Sequence, residues 1–274
     1  MAGGGGGRYT GPTSDAMQRM IDLAKERERQ RLDADVNELL QKLLARFNDR
    51  DTEAISEHLA FIGETLSDVA EIEAVLLGGS VGKHTAVDGI SDVDALIILD
   101  RADLVGKSAQ SMLDSFQKIL NQSLPRSEVK SIEKGRLAVT VTYHEGPEIQ
   151  LLPALRSRQT ISIASADGKG WIDTNPKVFQ REFTRANRQL NQSLAPAIKL
   201  MKSIASDFPK QKQLTGYHIE AIALDAAKDY QGAKTPRAFL LHLLGHAADR
   251  VLKPIADVTG QSRQSIPTWA RQIA

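Results

Sequence analysis

The chain has 274 residues, enough for one large domain or two modest ones with a sizeable core. Its formal net charge of +1 supplies no global field for a nucleic acid or a membrane, and the absence of cysteine excludes a disulfide scaffold, thiolate metal sites and a Cys nucleophile. Hydrophobic residues make up 41% and no uncharged apolar run approaches the roughly 20 residues of a membrane span, so a cytoplasmic protein is expected.

Met1 to Gly7 lacks an apolar signal core, and Ala2 stands where myristoylation needs glycine, so residues 1–13 read as a flexible tail. Ser14 or Asp15 caps a long helix whose apolar stripe runs Leu32, Val36, Leu39, Leu40, Leu43, Leu44 and Phe47. Asn48-Asp49-Arg50-Asp51 breaks it, and Ile55, Leu59, Ile62, Leu66 and Val69 define a second helix. Strands follow at Ala74–Leu77 and Asp92–Leu99, then a helix near Ser108–Gln122. Arg136–Tyr143 and Glu148–Leu152 read as a hairpin around His144-Glu145-Gly146-Pro147, with a further strand at Thr160–Ala164. From Pro176 onward the pattern is helical, with Tyr217–Tyr230 and Ala238–Leu252 as later helices; Thr235-Pro236 marks the start of the second. A last helix start near Pro267 stands close to Ala274 and leaves the C-terminus open. The predicted layout is an α/β (α+β) half with an N-terminal helical brace over residues 14–170, then an all-helical half over 171–274.

The chemistry is concentrated in Leu76-Leu77-Gly78-Gly79-Ser80, eleven residues, and Asp92-Val93-Asp94. Two glycines after a strand let backbone approach an anion, and turn N–H groups with the Ser80 hydroxyl make a cradle for phosphate oxygens. Asp92 and Asp94 lie two apart on a strand and share one face. Two such carboxylates repel unless a cation lies between them, and hard oxygen ligands suit Mg²⁺ (or Mn²⁺). A third acid from a neighbouring strand would complete a two-ion site of the kind that joins a hydroxyl to a triphosphate and releases pyrophosphate. Two rival phosphate loops fail. Gly78 to Lys83 is one residue short of a Walker A loop, with His84 where Ser or Thr is needed, and Gly106-Lys107-Ser108 is preceded by Arg101 at the first glycine position.

The string Gly79-Ser80…Lys83…Thr85…Gly89-x-Ser91-Asp92-Val93-Asp94 resembles the polymerase-β nucleotidyltransferase superfamily. Within it the string is most similar to the bacterial cyclic-oligonucleotide synthases related to cyclic GMP-AMP synthase and oligoadenylate synthase. Leu151-Leu152-Pro153-Ala154 resembles the segment after that family's third acid, and Trp171 with Asn175-Pro176 and the helix of Asn187 and Lys199 resembles the linker to the helical half. Gly216-Tyr217-His218-Ile219-Glu220 resembles a helix start beside the nucleotide, and Asp257-x-Thr259-Gly260 a late loop.

The resemblance implies a polymerase-β-like palm, a helical domain closing a nucleotide cleft, and two Mg²⁺ or Mn²⁺ ions on Asp92 and Asp94. It assigns Gly79, Ser80, Lys83 and Ser91 to the nucleotide. Lys199 or Lys202 would reach the terminal phosphates, and Tyr217 would stack on a base. Gln150 falls where the family carries its third aspartate; Glu148, two residues earlier on the same strand face, is expected to take that role. Otherwise two carboxylates hold the metal alone, or catalysis is weakened. The implied activity is cyclic di- or trinucleotide synthesis from nucleoside triphosphates, ATP among them, in bacterial antiphage signalling, with a downstream effector and a regulatory partner protein.

Two alternatives stand beside this: nucleotidyl transfer to RNA or protein, and a nucleotide-binding sensor with weakened catalysis. The near-neutral charge carries no strong nucleic-acid signal. His242 and His246, four apart with Asp249 beyond, have zinc-ligand spacing but sit on an apolar helix without a metalloprotease Glu, so a hydrogen-bonded helix face is expected. His84, beside the glycine turn, is a lesser candidate for a substrate contact.

Overall fold

The computed structural model describes residues 14–48, 52–68, 71–88, 90–99, 108–157, 160–164, 170–174, 176–253, 255–256 and 263–264. Residues 1–13, Asp49 to Asp51, Val69, Gly89, Gly106-Lys107, Asn175, the Asp257–Gly260 loop and Pro267 lie outside them. The chain divides into two units, Met1–Leu43 and Leu44–Ala274. The first holds most of helix α1, Ser14–Phe47, which buries none of its residues. Leu32 and Leu39 of its apolar stripe are 58% and 57% exposed.

In the second unit, α2 (Thr52–Leu66) precedes a seven-stranded mixed sheet made of β1 (Ile72–Leu77), β2 (Val93–Leu99), β3 (Val129–Lys134), β4 (Val139–Tyr143), β5 (Ile149–Ser157), β6 (Thr160–Ala164) and β7 (Trp171–Thr174). Strand order is β1-β2-β5-β4-β3, with β6 on β5 and β7 on β6. The β2–β5 pair is parallel and every other pair antiparallel. A parallel pair needs a long crossover, supplied here by α3 (Ala109–Ser123), β3 and β4.

Alternation along β2 and β5 sorts the two faces. Val93, Ala95, Ile97, Leu99, Ile149 and Leu151 pack with Ile55, Ile62, Leu66, Met112, Leu113 and Phe116 of α2 and α3. The opposite face carries Leu96, Ile98, Ala154 and Ile161, with Leu76, Leu152 and Ile163. Asp94 and Gln150, opposite one another in register, belong to that second face. Strand β5 changes neighbour along one edge. It pairs with β4 at Ile149 to Leu151, then with β6 from Ala154 to Ser157. Pro153 falls in the gap, where a residue lacking an N–H costs the ladder nothing on that side.

Strands β3 and β7 were not expected. The sequence of β3, Val-Lys-Ser-Ile-Glu-Lys, is a half-exposed edge with no continuous apolar run, and β7 occupies a stretch read as linker, so the sheet extends to Thr174. The C-terminal helices are α4 (Pro176–Gln189), α5 (Leu194–Ser206), α6 (Gly216–Ala227) and α7 (Pro236–Arg250). Asn187 and Lys199, expected on one helix, lie on two. The chain breaks at Asn191 and Gln192, both left-handed with φ of 50° and 63°. The Asn187 side chain accepts from Ala195 N at 3.1 Å and donates to Gln192 Oε1 at 2.6 Å, so it braces the corner. A small ribbon, β8 (Ile255–Ala256) with β9 (Arg263–Gln264), adds strand to a half read as wholly helical.

Candidate active site

The glycine turn follows β1 directly. Gly78 N donates to Asp94 O at 2.8 Å, Gly82 N to Gly78 O at 3.1 Å and Thr85 N to Ser80 O at 2.9 Å, which folds the turn against the start of β2. Gly79 has φ of +53°, and a Cβ there would lie 1.7 Å from Asp94 Oδ2. Any side chain would displace the carboxylate, so two reasons independently demand glycine. Ser80, within the turn, is largely buried and lines the cavity beside it.

A cavity of about 510 Å³ is lined by Gly79, Ser80, Lys83, Ser91, Asp92, Asp94, Gln150, Lys202 and Tyr217, among others. A smaller one of about 260 Å³ shares Gly79, Lys83, Asp94 and Tyr217, and is bounded by Leu96, Leu152 and Phe179. Ser91 Oγ accepts from Val87 N at 3.1 Å, fixing the loop just ahead of Asp92. Tyr217 lies 5.3 Å from the Phe179 ring, and the Lys83 ammonium sits 4.4 Å over Phe179 and 5.6 Å over Tyr217.

Two expected residues lie outside this lining. Lys199 Nζ is bonded to Asn48 Oδ1, whereas Lys202 reaches the cavity. Glu148 spends its carbonyl on Val93 N at 2.8 Å, and its carboxylate is bonded to Thr142, with burial, Asp92 and Glu133 raising its pKa. Gln150, not Glu148, touches the acid pair, donating Nε2 to Asp92 Oδ2 at 2.7 Å. His84 is exposed in the left-handed region and does not line the cavity.

Burial, and then Asp92 beside it, raise Asp94 from 3.8 to about 6. Lys83 and Lys202 pull the other way without cancelling the rise, as expected for two carboxylates crowded in a low-dielectric pocket. A hard divalent cation between them fits this donor set. Among the described residues no group of three His, Asp or Glu gathers as metal ligands; the polar group bonded to the acid pair is the neutral Gln150 amide.

In the cavity wall lies a charged cluster that motif reading did not single out. Glu220 on α6 is 1% exposed, Lys202 on α5 5% and Thr85 0%. Glu220 pairs with Lys83 through Oε2 and with Lys202 through Oε1 at 2.9 Å, while Thr85 Oγ1 donates to Oε1 at 2.6 Å. Lys202 Nζ also donates to Thr85 O at 3.1 Å. Burial opposes the Glu220 charge, but Lys83 and Lys202 outweigh it and hold the carboxyl below its ordinary range. Burial lowers Lys202, and Glu220 opposes that. A sequence signal existed: a lone carboxylate inside the apolar run Ile219 to Leu224 needs a buried partner.

The histidines of α7 form a packed polar face. His246 Nε2 meets Asp225 Oδ2 at 3.0 Å, Arg250 Nε donates to the same oxygen at 3.1 Å, and His242 Nε2 meets Ala226 O at 3.1 Å.

A mixed sheet of this topology, with helices before and after it and an acid pair beside a glycine turn, is the architecture of the polymerase-β-like nucleotidyltransferases. The model of the Second Messenger Oligonucleotide or Dinucleotide Synthetase domain matches residues 31–187, more than half of the chain, and the chain belongs to that family; it is a nucleotidyltransferase. Solved structures agree in fold at low identity. The Elizabethkingia meningoseptica CdnE cyclic dinucleotide synthase with GTP and Apcpp matches at TM-score 0.61 and 15% identity, covering 81% of this chain and 89% of that one. The Bradyrhizobium diazoefficiens CD-NTase CdnG in complex with GTP matches at 0.59 and 13%, covering 79% of each. The E. coli MS115-1 CdnC:HORMA-deltaN complex matches at 0.56 and 16%, covering 78% and 73%. Among curated proteins no sequence matches.

Proposed function

We propose that this nucleotidyltransferase joins nucleoside triphosphates, ATP among them, into a cyclic di- or trinucleotide in a metal-dependent reaction. The observation that carries the reading is one cavity lined at once by Gly79, Ser80, Asp92, Asp94, Lys83, Lys202 and Tyr217, in a chain of this family. The Gly79-Ser80 turn and the two lysines cradle the triphosphate, and Tyr217 offers a ring to a base. Asp92 and Asp94 would hold Mg²⁺ or Mn²⁺, which supplies positive charge where the triphosphate and leaving pyrophosphate carry negative charge. In each transfer a 2′ or 3′ hydroxyl oxygen bonds the α-phosphorus, the bond to the β-phosphate oxygen breaks, pyrophosphate leaves and the hydroxyl proton passes to water. A second transfer within the linear product closes the ring.

The family and the cyclic dinucleotide synthases among the similar structures support a cyclic product. Bacterial antiphage signalling through an effector protein extends the same reading, and the HORMA complex of the E. coli relative motivates a regulatory partner. Incubation with labelled nucleoside triphosphates and Mg²⁺ or Mn²⁺, followed by phosphatase, tests the proposal. A phosphatase-resistant small nucleotide is expected; label on RNA or protein, or nucleotide bound without turnover, would overturn it.

A further inference from the structure

We propose that Glu220 is a positioning residue that clasps Lys83 and Lys202 together at the cavity wall, so that two ammonium groups face a triphosphate before any nucleotide arrives. The inference rests on the nucleotide reading above. Its basis is a convergence of three elements on one carboxylate: the glycine-turn segment through Lys83 and Thr85, α5 through Lys202, and α6 through Glu220 itself. Two ammonium groups this close repel one another, and a buried ammonium is costly in its charged form. A carboxylate between them removes both difficulties and still leaves the cluster one positive charge in excess.

Such a cluster is poorly explained as a stability device, because a buried ion pair returns little net stability against apolar residues of the same volume. Its geometry is what a phosphate site needs. Lys83, Lys202 and Glu220 all line the cavity, and Glu220 is paired with both lysines. Thr85 gives its hydroxyl hydrogen to Glu220 and its carbonyl to Lys202, which ties the end of the turn to both helices. The same grip fixes the Lys83 ammonium over the Phe179 and Tyr217 rings, so the phosphate-facing charge and the base-facing ring are held in one register.

The test is Glu220→Gln in the full chain, which keeps the shape and removes the charge. Binding of ATP and of inorganic tripolyphosphate is expected to weaken about ten-fold or more while adenosine binding stays the same, so KM rises more than kcat falls. Lys202→Met and the double variant complete a cycle in which the combined loss is smaller than the product of the single losses. Glu220→Asp, with its charge one methylene further back, falls between wild type and Glu220→Gln. Wild-type protein that binds no ATP would remove the nucleotide reading itself. Wild-type protein that binds ATP beside a Glu220→Gln variant of equal affinity would overturn the clasp alone. Should Glu220→Gln not fold, Thr85→Val, which removes one bond to the carboxylate, carries the same test: weaker tripolyphosphate binding is expected, and unchanged binding overturns the proposal.

Discussion

Asp94 carries the clearest conflict between stability and function. The folded carboxyl keeps its proton to about pH 6, whereas its ordinary value is 3.8. Between those values the native state binds the extra proton, so this residue makes stability fall as pH rises through that window. Asp94→Asn is therefore expected to raise the melting temperature of metal-free protein at pH 8, by an amount corresponding to no more than about 3 kcal/mol. At pH 3.5 it should leave melting unchanged, and in the turnover assay it should be dead. A variant no more stable than wild type at pH 8 would contradict the crowding argument. Asp92→Asn with Asp94→Asn should likewise abolish product while native circular dichroism persists. At the third position the contact between Gln150 and Asp92 sets the order. Gln150→Ala should lower kcat/KM by about 10- to 100-fold, as expected for a group that orients a ligand. Glu148→Gln should cost less, and the reverse ranking would return Glu148 to the site.

At the level of elements, the glycine turn is the least tolerant piece. Gly79→Ala should eliminate activity because the added carbon meets the Asp94 carboxylate at 1.7 Å, and lost product without lost folding is the expected readout. The helices beneath the sheet answer to different rules. Phe116 on α3 is fully buried, and Phe116→Ala should cost about 3–5 kcal/mol in urea unfolding. What the sequence made legible follows the same division. Strands β1, β2, β4, β5 and β6 announced themselves through apolar or β-branched runs, and α7 through the Thr235-Pro236 start signal, now seen with a side-chain cap at Thr235; the caps of α3 and α6 at Ser108 and Thr215 came from the structure. Strand β3, Val-Lys-Ser-Ile-Glu-Lys, sets only two apolar residues among two lysines, a glutamate and a serine on a half-exposed edge, so no periodicity gave it away. The corner between α4 and α5 was hidden because Asn191 and Gln192 adopt positive φ without a glycine to mark it. Glu220 escaped the site list because its partners come from segments 18 and 135 residues away.

For the molecule as a whole, the motif string was enough to recover the family and the fold, whereas the identity of the groups facing Asp92 depended on strand register that no linear pattern encodes. The cavity draws its lining from the turn, β2, β5, α5 and α6, so a nucleotide should stabilise sheet and helices together. At 100-fold excess over its Kd the expected gain is about 2.7 kcal/mol, visible as a single shifted thermal transition in the presence of Mg²⁺ and ATP. The proline at the centre of β5 has a consequence of another kind. Because the strand hands over from β4 to β6 at Pro153, the sheet forks there into two branches with a common stem in the β2–β5 pair. Native-state hydrogen exchange should divide at that residue, with the amides of β3 and β4 opening as one cooperative group, those of β6 and β7 as another, and the stem outlasting both.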